Sequence, residues 1–230
     1  MTDWHAHWNT IRAGVREDEY LRQVGKTVEG RPVPEASVGI MVRDIVTALQ
    51  LSNDDHLLDV CCGNGLITAR CAEYCRGVTG VDFSEPLIRV AKRDFARPNV
   101  EYVVADARRL PPMVIGTPFS KVCMYEAAQH FSPEEIDALL QLLRRSQPGA
   151  PLFLGSVPDR DRRWKFYDTP ARRAEYRQRV QKGTEAIGYW WATAELEEVG
   201  ARSGYAVTIL RPSPWLHVAH YRFDALLSPR

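Results

Sequence analysis

No stretch of this 230-residue chain approaches the roughly 18 apolar residues that a membrane span requires. The first residues, Met1-Thr2-Asp3-Trp4-His5, carry neither the basic nor the apolar region of a signal peptide. No charge of one sign dominates: 30 Lys and Arg meet 29 Asp and Glu, a formal net charge of +1. That balance offers no electrostatic handle for nucleic acid or an anionic membrane, so neither is expected as a partner. Cysteine is scarce and odd in number, five in all, which excludes a disulfide framework. A reducing cytoplasm is the expected home. No internal repeat and no low-complexity segment occurs. A phosphate-binding P-loop is missing too: Gly25-Lys26-Thr27 imitates its tail, but Tyr20 stands where its first glycine would be.

What is present is a core for one compact domain, with 45% hydrophobic residues. Periodicity divides the chain into alternating helices and strands. Glu35 to Leu51 reads as a helix whose Val38, Met41, Ile45, Ala48 and Leu49 share a face. A strand follows at 57–61, then a helix at 65–76 ended by Gly77, and a strand at 78–82. Ser84 caps the next helix, with Pro86 in its first turn. Strands at 100–105 and 119–125 come next. Ser132-Pro133-Glu134-Glu135 is a capping box opening a helix to about Arg145. A fifth strand spans 151–157, a helix 193–203, and two closing strands 205–210 and 215–223. The alternation predicts an α/β protein: a single Rossmann-like, seven-stranded, mostly parallel sheet with helices on both faces. The last two strands, joined without room for a helix, predict a C-terminal antiparallel hairpin. Residues 1–34, rich in aromatics and charge, are expected to form a helical lid on a domain spanning 35–230, and about 159–191 forms an aromatic and arginine-rich insertion.

The chemistry concentrates where strands end on acids. Leu57-Leu58-Asp59-Val60 runs into Cys61-Cys62-Gly63-Asn64-Gly65. Gly80-Val81-Asp82-Phe83 repeats the strand-then-acid pattern, and Tyr102-Val103-Val104-Ala105-Asp106-Ala107 repeats it again. A nicotinamide-binding turn would need G-x-G-x-x-G, but here Cys61 and Leu66 occupy the outer positions, which disfavours an oxidoreductase. An ordinary strand-to-helix turn would not call for Asp82 and Asp106 as well.

Together the three segments resemble the class I S-adenosylmethionine-dependent methyltransferases, over roughly Val38 to Ser156. The resemblance implies S-adenosyl-L-methionine as cofactor and S-adenosyl-L-homocysteine as product. Asp59 to Gly65 matches the first motif, with Cys61 in place of the usual first glycine. A cysteine there costs something if the backbone needs a positive φ. Gly63 and Gly65 allow close backbone approach to the amino acid end of the cofactor, and the following helix N-terminus would supply N–H groups to its carboxylate. Asp59 would sit near the ammonium. The resemblance puts Asp82 on the ribose diol, Phe83 on the adenine face, Asp106 on the adenine amino group and the Ala107 N–H on a ring nitrogen. Asn64 within the loop and Tyr125 at the end of the fourth strand complete the expected cofactor set.

The fourth strand continues into Glu126-Ala127-Ala128-Gln129-His130-Phe131. In relatives that methylate small molecules a His followed by an apolar residue often lies here, beside the methyl. An Asn- or Asp-Pro-Pro-aromatic signature of nucleic-acid branches is missing, so a small-molecule acceptor is expected. His130 is the candidate general base, active through a pKa near about 6.5, or else a packed histidine. His220 is the second candidate. For the acceptor, Trp164, Tyr167, Trp191 and Tyr221 offer aromatic faces, Arg172, Arg173 and Arg222 offer guanidinium forks, and Gln129 lies beside His130. An anionic or sugar-like metabolite, methylated on oxygen or nitrogen, is the expectation; the alternative is a regulatory or scaffold protein that binds the cofactor without catalysis. No metal site is expected: Cys61 and Cys62, being adjacent, diverge, and Cys71 and Cys75 read as buried small hydrophobes. His5 and His7 are a weak pair.

Overall fold

The computed structural model describes residues 4–10, 15–185 and 187–230. Its frame is a seven-stranded sheet. In chain order the strands are β3 (His56–Val60), β4 (Gly77–Asp82), β5 (Val100–Val104), β6 (Lys121–Tyr125), β7 (Leu152–Pro158), β8 (Tyr205–Leu210) and β9 (Arg222–Pro229). A two-residue hairpin, β1 (Thr27–Val28) with β2 (Arg31–Pro32), precedes them. The sheet order is β5-β4-β3-β6-β7-β9-β8. Pairs from β5 through β7 are parallel, while β7–β9 and β8–β9 are antiparallel. The order reverses between β3 and β6, and in open α/β sheets ligands bind at the carboxyl ends of the strands at such a point.

Helices cover both faces: α1 (Trp4–Thr10), α2 (Tyr20–Gln23), α3 (Glu35–Leu49), α4 (Thr68–Cys71), α5 (Glu85–Asp94), α6 (Pro112–Ile115), α7 (Pro133–Ser146), α8 (Arg163–Phe166), α9 (Pro170–Lys182) and α10 (Thr193–Arg202). The central strands read as near-continuous apolar runs because both their faces are buried. Leu58, Val60, Met124 and Leu154 join the core beneath α7 and α10, while Leu57, Cys123 and Phe153 join the core beneath α3. On α3, Val38, Met41, Ile45 and Leu49 are buried as expected, with Val42 beside them and Ala48 half-buried. The helix ends on Gln50 in the left-handed conformation. The capping box on α7 forms in full: Glu135 N–H donates to Ser132 Oγ at 3.2 Å, and Ser132 N–H donates to Glu135 Oε2 at 2.8 Å.

Several boundaries differ from expectation. The helix expected at 65–76 shrinks to α4 and a 3-10 turn at Ala72–Tyr74, because Gly63 and Gly65 both hold positive φ and keep the chain in a loop up to Ile67. Ser84 stands at the N-cap of α5, but its hydroxyl makes no capping bond; the Ser84 N–H donates to Asp82 Oδ1 instead. The closing strand is not 215–223 but Arg222–Pro229. Pro212 and Pro214 interrupt the earlier stretch, and its amides turn inward on themselves: Leu216 N–H to Ser213 O, Ala219 N–H to Leu216 O, Tyr221 N–H to Val218 O. The insertion holds α8 and α9 and is closed at its base by a parallel bridge between Asp159 and Trp191. The N-terminal segment has a small hairpin of its own besides helices. No helix of the described residues is long and apolar enough to cross a membrane.

Candidate active site

The three strand-end acids converge on one cleft. Asp59, Cys61, Gly63, Asn64, Asp82, Phe83, Asp106, Ala107 and Tyr125 all line it, with Glu126, Ala127, His130 and Phe131 from the loop after β6. Gly65 stands behind the loop: a Cβ there would come within 2.6 Å of the Tyr102 hydroxyl. Trp4, Trp8, Val24 and Lys26 of the N-terminal segment close the cleft from outside.

Asp82 organises the glycine loop. Its Oδ2 accepts from the Gly63 N–H at 2.9 Å, and its Oδ1 from the Ser84 N–H at 2.8 Å. Asp106 caps a 3-10 turn at Ala107–Arg109 by accepting from the Arg108 N–H at 2.9 Å. Arg108 then ties this turn to the opposite wall, donating to Glu135 Oε1 at 2.6 Å and to the His130 carbonyl at 3.0 Å. Asn64 is committed elsewhere than expected: its amide donates to the Tyr20 carbonyl and to Gln23 Oε1, so it anchors the N-terminal segment. The expected helix N-terminus is also a weaker feature than assumed, since α4 has four residues and builds little dipole. The donors available to a carboxylate are the N–H groups of the loop itself.

Asp59 is buried on β3, and among the described residues its side chain accepts one hydrogen bond, from the Thr68 hydroxyl at 2.6 Å. Burial, reinforced by Asp82, pushes its carboxyl up to about 7 against the opposing Thr68 bond. A carboxyl raised in this way favours the fold while protonated. That contribution is whole below about pH 4 and is withdrawn as the pH rises to about 7. A cation placed against Asp59 reverses the trend. If the ammonium of S-adenosylhomocysteine takes that place, as the resemblance implies, its affinity should rise between pH 6 and 8, with proton release on binding below pH 7. Calorimetry in buffers of different ionisation enthalpy measures that release; pH-independent affinity without proton exchange would contradict it.

Two neighbouring strands, β3 and β6, run directly into non-glycine residues in the left-handed region, Cys61 at φ 62° and Glu126 at φ 54°, and β7 carries a third, Ser156 at φ 59°, where its register against β9 shifts. The substitution of Cys61 for glycine thus keeps the glycine-like backbone at a steric cost of order 1 kcal/mol. Such strain clusters at functional sites, and here it turns Glu126 toward the cleft. Lys26 from the N-terminal segment forms a buried ion pair with Glu126 and lies 5.2 Å from the centre of the Tyr125 ring. Burial alone would raise the Glu126 carboxyl; Lys26, then Arg222, overcome it and hold the group down at about 2. Ser156 donates its hydroxyl to Glu126 Oε1 at 3.3 Å, its N–H donates to Asp224 at 2.6 Å, and Arg222 donates to its carbonyl.

His130 lies at the inner end. Trp4 and Trp8 cover it with ring centroids at 4.2 and 5.6 Å, and among the described residues neither ring nitrogen has a hydrogen-bond partner. Burial, with Arg222, His7 and Arg108 adding to it, pushes its pKa down to about 3. Titration near 6.5 therefore does not describe this site.

The expected acceptor residues mostly stand apart. His220 sits on an exposed turn, not on a strand, and lines neither the cleft nor the cavity beyond it. Trp191 is wholly buried in the core, donating to the Ala128 carbonyl at 3.2 Å. Tyr221 packs against Phe166, and Arg222 is buried under β7. Arg172 pairs with Asp168 and lies over Phe166; Arg173 donates to the Tyr167 carbonyl and stacks on Trp164; Tyr167 donates to Glu185. None of these lines either opening: Arg172, Arg173 and Tyr167 use their polar atoms within the insertion, and Trp191 and Arg222 use theirs on the Ala128 and Ser156 carbonyls. Gln129 does line the second cavity, its amide donating to the Glu126 carbonyl at 2.7 Å. Lys26, Glu126 and Arg108 were not singled out from the sequence; the Gly25-Lys26 pair, dismissed as a phosphate loop, was the available signal. The His5 side chain lies outside the described residues, and among those described no cluster of three or more His, Cys, Asp or Glu could hold a metal.

The chain is similar to known proteins at three levels. Residues 57–148 match a family described as a methyltransferase domain. A ubiquinone biosynthesis O-methyltransferase of Coxiella burnetii is 28% identical over 159 residues, 65% of this chain and 62% of its own length. The chain thus spans less than two thirds of the curated relatives it matches, and as little as 20%. Among solved structures, a cyclopropane synthase from Mycobacterium tuberculosis superposes with a TM-score of 0.69 at 14% identity, covering 97% of this chain and 98% of that one. A magnesium protoporphyrin IX methyltransferase from Synechocystis, with S-adenosylhomocysteine bound, gives 0.62 at 16% identity over 100% and 95%. With the sheet order, these matches establish that the chain has the fold of the class I S-adenosylmethionine-dependent methyltransferases.

Proposed function

We propose that the protein transfers a methyl group from S-adenosylmethionine to an oxygen or nitrogen of a small molecule. The observation that carries this is the convergence of Asp59, Asp82 and Asp106 with Gly63 on a single cleft at the strand-order reversal. The residues fit the cofactor. Asp59 is a buried carboxyl suited to an ammonium, Gly63 holds a positive φ where a Cβ would crowd Val24 at 3.0 Å, and Phe83 is half-buried on the same cleft as Asp106. When bound, the cofactor supplies an electrophilic methyl on a good leaving group. The chain's share is alignment and exclusion of water. Asp82 and Asp106 orient the nucleoside, Asp59 holds the amino acid end, and Trp4, Trp8 and Lys26 close the cleft.

An anionic or sugar-like acceptor was expected from Trp164, Arg172 and Arg173. Those side chains bond within the insertion, so that finer reading loses its support. A protein that binds the cofactor without catalysis remains the competing reading. Thermal-shift comparison of S-adenosylhomocysteine with NAD tests the cofactor class, and labelled cofactor incubated with a metabolite pool tests transfer. Stabilisation by NAD alone would overturn the proposal.

His130, held neutral by burial, acts here as a packing group. At saturating substrates kcat should stay flat from pH 5 to 9. A limb with a pKa of about 6–7, abolished in His130→Ala, would instead restore general-base catalysis. The N-terminal segment serves as a lid. Its contacts to Asn64, Glu126 and His130 predict that amide exchange in residues 20–33 slows on binding S-adenosylhomocysteine. Exchange indifferent to the ligand would argue against a lid.

A further inference from the structure

Beyond His130 a second cavity opens between the loop after β6 and the insertion. Trp4, His130 and Phe131 belong to the walls of both openings, so a molecule in the second would present an atom toward the cofactor cleft. Buried polar atoms without partners concentrate on the residues of this cavity. Among the described residues they are Gln129 Oε1, Arg163 Nε, Trp190 Nε1 and both His130 ring nitrogens; Glu195 Oε2 makes no hydrogen bond but lies 3.7 Å from Arg160. Gln129 and Trp190 are more than nine-tenths buried, at 6% and 5% exposure. Unpaired buried polar atoms are costly in a folded protein, and here both senses occur together, an acceptor on Gln129 and donors on Arg163 and Trp190.

Charge narrows the class further. Arg160, Arg163 and Arg202 on the walls are opposed by Glu134, Glu185, Glu195 and Glu198, and Arg160 already lies 3.7 Å from Glu195. The cavity therefore carries no net field that would favour an anion. Its apolar surface is aromatic, with Trp190, Tyr176 and Tyr189, which suits a flat ring.

We infer that this second cavity takes the methyl acceptor, and that the acceptor is an uncharged flat ring whose edge carries both a hydrogen-bond donor and an acceptor, as an amide or a phenol does; the inference rests on the methyl-transfer reading above. His130 marks the end of the ring that faces the cleft. Specificity follows from satisfying buried groups of both senses, because an analogue that lacks either leaves a wall atom unpaired.

Three probes of equal size and differing charge test this: benzamide, benzoate and benzylamine, titrated by ligand-observed NMR into protein saturated with S-adenosylhomocysteine. Benzamide should bind about tenfold or more tightly than either ion. Trp190→Phe, which keeps the ring and removes the donor, should weaken benzamide by about 5- to 10-fold. It should leave S-adenosylhomocysteine affinity within about twofold. Arg163→Met, from the half-exposed wall, provides a second variant should Trp190→Phe not fold. Tightest binding by benzoate or benzylamine, no saturable binding of any probe, or benzamide affinity unchanged in the folded variants would overturn the inference. The cofactor titration in the same samples separates the two levels. Failure of S-adenosylhomocysteine to bind removes both readings, whereas its binding alongside any of those results removes only this one.

Discussion

Asp82→Ala should lose S-adenosylhomocysteine affinity by about 100-fold or more. One carboxylate does two jobs at the end of β4. It holds the glycine loop through the Gly63 N–H at 2.9 Å and the start of α5 through the Ser84 N–H at 2.8 Å. It is also the group proposed to receive the ribose hydroxyls. A hydrogen bond to a charged acceptor contributes about 1.5–3 kcal/mol, so the ribose contacts alone account for roughly 10- to 150-fold. Release of Gly63, whose φ of 57° the bond helps to fix, adds to that. Asp82→Asn should fall between, since an amide oxygen still accepts but carries no charge. Isothermal titration measures both variants; an Asp82→Ala affinity within about threefold of wild type would contradict the assignment.

Glu126→Ala should be the most damaging substitution for stability among the cleft residues. It leaves the Lys26 ammonium, whose side chain is 7% exposed, without its carboxylate. Breaking one half of a buried ion pair costs about 3–5 kcal/mol, which for a chain of this size lowers the melting temperature by roughly 6–20 °C. Replacing both groups, as Lys26→Met with Glu126→Leu, should recover much of the loss, because neither charge is then stranded. The Glu126 carboxyl is held at about 2, below its ordinary 4.5, so the pair's contribution is whole above pH 4.5 and is lost only as the pH falls toward 2. Thermal melts at pH 7 measure the effect; a single variant melting within about 2 °C of wild type would mean that Lys26 finds water or another partner. The pair also fastens the N-terminal segment across the cleft, so this variant should loosen that segment as well as weaken the fold.

The parts of this structure legible in the sequence are those encoded locally. The three acids announce themselves because each follows an apolar strand. The capping box at Ser132 needs only a serine and a glutamate three residues apart. The apolar stripe of α3 is a matter of spacing along one helix. What the sequence concealed depends on distant partners. Lys26 and Glu126 are 100 positions apart, and nothing near either residue marks them as a pair. Arginines and aromatics at 159–191 looked like an acceptor surface by composition, yet Arg172 and Arg173 find Asp168, Phe166 and the Tyr167 carbonyl close at hand and are used there. The final strand starts seven residues later than 215 because 215–223 and 222–229 are both apolar enough. The prolines at 212 and 214 and the turns they favour decide between them. His130 was found by position, but its protonation depends on Trp4 and Trp8, which reach it from the other end of the chain.

A crystal structure of the protein with S-adenosylhomocysteine tests the central claim most directly. The account predicts the nucleoside in the cleft at the ends of β3, β4 and β5, with both ribose hydroxyls on Asp82, the adenine between Phe83 and Asp106, and the ammonium at Asp59. A ligand seated elsewhere, or a ribose that leaves Asp82 uncontacted, would contradict it.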